Sequence, residues 1–147
     1  MSDAGSGIVS ASALRRMMAE REAEKAAEAL ARQRHLQEEE QHKREMFLHD
    51  HLDVQDRMPK LMARIEKAAA NGQSELLLGT FPSAWLADKG RAVNSGDPAW
   101  PSTLTGIARQ FYDAFKRELE PQGYKLRCQI ISFPDGMLGD VGVYLDW

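Results

Sequence analysis

The sequence predicts an α+β protein: a long N-terminal helical, coiled-coil-like arm, then a small domain of order α-β-α-α-β-β with a three-stranded antiparallel sheet. Three observations lead there. Residues 1–70 hold all 4 histidines but one aromatic, Phe47, whereas residues 71–147 hold the other 10 aromatics, 9 of the 11 glycines and 5 of the 6 prolines. Aromatics supply the largest buried areas in a small core and Gly and Pro punctuate turns, so the core belongs mainly to the second half. From Ala11 to Ala70 there is no glycine, and Ala, Glu, Arg, Gln and Lys, all good helix formers, dominate. Near the C-terminus two runs alternate apolar and polar residues, the period of half-buried strands.

Taken in order, residues 1–10 are Gly/Ser-rich and read as a disordered terminus. Residues 11–55 read as one long charged helix, with Arg16–Glu20, Glu28–Arg32, Glu39–Lys43 and Glu40–Arg44 as i,i+4 pairs. Phe47, His51, Val54, Met58, Leu61, Ile65 and Ala68 alternate by four and three, a heptad seam. Counted backwards, the same register meets Ala19, Ala23, Ala26 and Leu30, with polar Gln33, Gln37, Glu40 and Arg44 between the two blocks. Pro59 fits the first turn of a new helix, 57–70, with Asp56 as N-cap. That helix opens the compact domain, residues 56–147, and Asn71-Gly72 stops it.

Within the domain, Glu75–Gly79 is a short apolar run suited to a buried strand, and Pro82 opens a helix through about Val93. Asn94–Pro98 is a loop by composition. A helix from Ser102 carries Leu104, Ile107, Ala108, Phe111, Phe115 and Leu119 as its apolar stripe and ends at Pro121-Gln122-Gly123. Tyr124–Ile130 and Val141–Trp147 alternate and should pair as an antiparallel hairpin around Pro134-Asp135-Gly136. This element order is shared by winged-helix domains, with the hairpin as wing, and by unrelated small α+β layers. It therefore does not decide function.

Composition excludes some classes and disfavours others. The balance of 19 Lys+Arg against 22 Asp+Glu gives a formal charge of -3, the wrong sign for general phosphate neutralisation. A single cysteine, Cys128, makes no intramolecular disulfide and no zinc cluster, and with no signal-peptide pattern and no run of ~18 apolar residues the expectation is a soluble, cytoplasmic chain without a membrane span. His35, His42 and His49 recur every seven residues, but on a helix they stand about 10 Å apart, too far to share a metal. With His51 and Asp53 they read as solvated side chains, and neither a metal nor a cofactor is expected. Cys128 alternates in phase with Tyr124, Leu126 and Ile130 and reads as a core residue.

The leading expectation is a non-catalytic interaction or assembly protein that self-associates, as a homodimer, or docks a protein partner. Phe47, His51, Val54, Met58, Leu61 and Ile65 are the residues expected to carry helix association, with packing on the chain's own domain as the alternative. Trp100, Met137 and Leu138 form a candidate second contact surface, with plugging the core edge as the alternative for Trp100 and folding back over the core as the alternative for Met137 and Leu138. The alternative function is a winged-helix-like DNA-binding regulator that reads through Arg109, Lys116 and Arg117. Against it, residues 71–147 hold 7 basic and 9 acidic residues, and the candidate wing, Phe133–Val141, has Asp135 and Asp140 and no Lys or Arg. A third reading is a small enzyme with a site in the 91–101 loop. Nucleophile elbows, phosphate loops and HExxH are all missing, and the second half lacks histidine, the commonest general base.

Overall fold

A computed structural model of the chain describes residues 7–147; most of the segment expected to be disordered, residues 1–6, lies outside the described residues. Two compact units divide the chain, one ending at Lys43 and one running from Arg44 to Trp147.

The first unit is a helical arm. Helix α1 spans Ala11–His49, 39 residues without a glycine, a proline or a β-branched side chain. Residues with unbranched Cβ atoms lose little rotamer freedom in a helix, which is why the arm needs no tertiary support to adopt it. Ser10 caps it: its hydroxyl accepts from the Ala13 amide at 3.2 Å and its carbonyl from the Leu14 amide at 3.1 Å. His35–Glu39 at 3.0 Å and Lys25–Glu22 at 3.9 Å are exposed pairs worth a few tenths of a kcal/mol each. No residue of α1 is buried. The apolar face begun by Leu14, Met17 and Met18 continues at helical period through Arg21, Lys25, Glu28 and Arg32, so it fades after two turns. The Ala19–Leu30 block expected to extend the heptad seam is fully exposed along its length.

The second unit begins inside the last turns of α1 and holds the core. The helix expected to run to residue 55 stops at His49, and Asp50–Asp53 form an extended link. Gln110 clamps that link: its amide nitrogen donates to the Asp50 carbonyl and its amide oxygen accepts from the Leu52 backbone, both at 2.8 Å. These bonds replace the helical partners the link gives up. Helix α2 then runs Val54–Ala70, three residues earlier than the 57–70 expected. Asp53, not Asp56, is the N-cap, accepting from the Asp56 amide at 3.1 Å. Pro59 therefore sits inside the helix, where it has no N–H to donate to the Gln55 carbonyl; both residues are exposed.

Strand β1 spans Glu75–Pro82, β2 Lys125–Ile130 and β3 Asp140–Asp146, in the order β1-β3-β2 with both pairings antiparallel. The hairpin expected at the C-terminus forms, and β3 becomes the central strand. Leu145 faces Leu76 on one side and Leu126 on the other, and Val141 faces Phe81 and Ile130. Both central residues are fully buried. Leu61, Ile65, Phe115, Leu119 and Leu145 make one core cluster; Phe81, Leu86, Val93, Leu104 and Val141 make the other.

Between β1 and β2 the chain departs from expectation twice. In place of a helix from Pro82 to Val93 there is a 3-10 turn at Ser83–Trp85, then a short helix α3, Arg91–Ser95. Gly90 at φ 88 breaks the run, and the Asp88 carboxylate accepts from the Gly90 and Ala92 amides at 3.0 and 2.8 Å, which fixes the new start. The next helix, α4, spans Gly106–Ala114 instead of starting at Ser102, because Leu104 and Thr105 are extended. It continues as a π-helical turn, Phe115–Leu119, that buries both of its end residues. At Gly106 the end of α1 crosses the backbone so closely that an added Cβ would overlap the Phe47 carbonyl and lie 2.7 Å from the Leu48 Cα.

Candidate interaction surfaces

The seam expected to carry helix association is mostly spent inside the chain's own domain. Leu61 and Ile65 are buried with Phe115, Leu119 and Leu145 in the chain's own core. The stripe is apolar because α2 is the helical layer over the sheet. Phe47 packs its ring 4.9 Å from Phe81 and 5.0 Å from Trp85, anchoring the end of α1 to the second core cluster. His51 is exposed in the link, and Val54 and Met58 are half-buried on α2.

Val54 and Met58 nevertheless face something. They line a groove of about 790 Å³ along one side of α2, together with Met62, Ile65, Leu119, Tyr124 and Trp147. Glu66 and Glu118 stand on its rim, both exposed and neither in an ion pair among the described residues. A smaller groove, about 400 Å³, lies on the other side of α2 beside Leu61, Leu78 and Phe111, and its rim is basic: Arg57, Lys60 and Arg64. A helix whose two flanks carry opposite rim charges can discriminate between partners by sign. Sequence patterning located α2's apolar residues but not these grooves, since Met62 and Trp147 meet only through the fold.

The proposed second surface is divided. Met137 is 71 % exposed and Phe133 56 %, at the tip of the loop between β2 and β3. Leu138 is half-buried and folds back: its carbonyl accepts from the Ser83 hydroxyl at 3.1 Å and its side chain lies near Gly90. Trp100 is half-buried in the second core cluster, edge-on to Tyr112 at 6.2 Å. It plugs the core edge, so the three residues do not form one surface.

Two of the three candidate nucleic-acid contacts are already occupied. Arg109 pairs with Asp113 at 3.5 Å, donates to the Pro101 carbonyl at 3.2 Å and lies over the Tyr112 ring. Lys116 pairs with Glu120 at 2.9 Å, a hydrogen bond that raises its pKa. Arg117 is exposed and makes no ion pair among the described residues. In the 91–101 loop the Asp97 carboxylate accepts from the Ala99 amide at 2.9 Å, a turn contact. Among the described residues no group of three His, Cys, Asp or Glu side chains could hold a metal ion, and no helix is long and apolar enough to cross a membrane.

One polar feature escaped the sequence reading. Arg127, on β2, pairs with Glu75 at 2.6 Å and Asp146 at 3.2 Å and stacks on Tyr144, a clasp across all three strands that raises its pKa through the Asp146 hydrogen bond. Burial pushes the Cys128 thiol up to about 12, so it is not a nucleophile at neutral pH. Compared with known proteins, the chain matches no family model, no curated protein and no solved structure.

Proposed function

We propose that this chain is a non-catalytic interaction protein, cytoplasmic and homodimeric, whose helical arm is the element offered to another chain and whose α+β domain recognises a partner. One observation carries the reading: α1 buries no residue, yet its first turns present Leu14, Met17 and Met18 at 47 %, 57 % and 67 % exposure. Large apolar side chains clustered on a largely polar, solvent-exposed helix, which also exposes Leu30, Leu36 and Met46 singly, are the usual mark of an interaction element. The associating residues are thereby moved from the Phe47–Ile65 seam to the outer part of the arm. Light scattering of the full chain beside Leu14→Asp/Met18→Asp tests this: association should be lost while the domain's melting temperature stays put. A full chain that remains monomeric up to its solubility limit would remove self-association.

A winged-helix-like DNA-binding regulator is the second reading, supported by the α-β-α-α-β-β order and by the unpaired Arg117. The ion pairs of Arg109 and Lys116 and a loop between β2 and β3 without a cation weigh against it. Salt-dependent retention on heparin, abolished by Arg117→Glu, would favour it. A small enzyme at residues 91–101 gains no side-chain arrangement in its favour.

A further inference from the structure

We infer that the acidic-rimmed groove beside α2 receives the arm tip of a second copy of this chain, an inference that rests on the self-association reading and gives it a site. The tip is a built element. Ser10 caps α1, Val9 and Leu14 stand at the two positions of a hydrophobic staple, and Leu14, Met17 and Met18 share one helical face. Arg15 lies on the flank of that face and Arg21 continues it; neither makes an ion pair among the described residues. The groove offers the complement. Its wall along α2, from Val54 to Ala69, is about 22 Å long. The segment Ala11–Arg21 is about 15 Å long and fits within it. Methionines on both sides adapt to imperfect packing, and an amphipathic helix laid in an apolar groove is a common recognition mode.

Charge decides which groove. Glu66 and Glu118 make no ion pair among the described residues and stand on the larger groove, whereas Arg57 and Arg64 on the smaller one would repel Arg15 and Arg21. Along the uninterrupted helix Leu14 lies about 44 Å from Lys43.

A charge swap in the full chain tests the pairing. One variant carries Glu66→Arg/Glu118→Arg, the other Arg15→Glu/Arg21→Glu; all four side chains are exposed, so both should melt like the parent. By sedimentation velocity the parent should run at twice the 16.5 kDa chain mass. Each variant alone should associate at least about tenfold more weakly. An equimolar mixture should recover the dimer, because each arm then meets a groove of opposite sign. Variants that associate like the parent, or that fail to recombine, overturn the groove assignment while leaving arm self-association standing. A monomeric parent overturns both.

Discussion

Replacing Leu61 with alanine distinguishes two uses of one apolar stripe. Leu61 is 9 % exposed and packs with Ile65, Phe115, Leu119 and Leu145. Alanine removes three carbons, about 2.4 kcal/mol at about 0.8 kcal/mol per buried methylene. The cavity left behind adds to this, although the neighbouring smaller groove gives the site room to relax, so the total should lie near the lower end of the Leu→Ala range, about 3 kcal/mol. In a domain of this size each kcal/mol lowers the melting temperature by about 4–8 °C, which gives a fall of about 12–24 °C. Circular dichroism melts and light scattering on the same sample read the two effects separately. A large drop in melting temperature at unchanged low-temperature mass is expected. A parental melt with a halved mass would refute the reasoning, because Leu61 would then be serving a second chain.

Gly106→Ala should cost about 2–4 kcal/mol, since Gly106 has φ 54 and the Phe47–Leu48 backbone occupies the Cβ position. Gly96→Ala, at φ 71 with open space around it, should cost about 1 kcal/mol, and equal losses in urea titrations would disprove the close approach of α1 to α4. Cys128 should resist thiol reagents at pH 8 until urea exposes it. Its folded pKa, about 12, lies above its ordinary value of 9.0, so the stability it contributes is fully present below pH 9 and is lost as pH rises towards 12. Prompt labelling of the native protein, or wild type and Cys128→Ala that lose stability identically between pH 9 and 12, would count against this. Ala26→Pro should cost helical signal and weaken association while leaving the domain's melt unchanged; a lower domain melt would mean the arm supports the core.

Much of the fold was legible because local chemistry and tertiary structure agree there. The glycine-free run to Ala70 gave the arm and α2, and the alternation of Tyr124–Ile130 and Val141–Trp147 gave the hairpin. Misreadings fell where a contact distant in sequence overrides local preference. The link at 50–53 is held open by Gln110, sixty residues away from Asp50, and no periodicity in the arm announces that. Gly106 reads as a poor helix start until the end of α1 is placed against it. The site was less legible than the fold. A heptad seam looks the same whether it meets another chain or its own sheet, and for Leu61 and Ile65 the partner is β3 and α4's extension. Leu14, Met17 and Met18 were overlooked because they span little more than one turn, too short for a heptad count, and only the lack of burial along α1 marks them.

The most direct test is the solution mass of the full chain beside a chain beginning at Arg44, where the compact unit begins. Removing residues up to 43 keeps Phe47 on Phe81 and Trp85, so the shorter chain should fold. A dimeric full chain and a folded, monomeric shorter chain are the expected pair of results. If the two have the same number of subunits, the arm is not the associating element and the central claim fails.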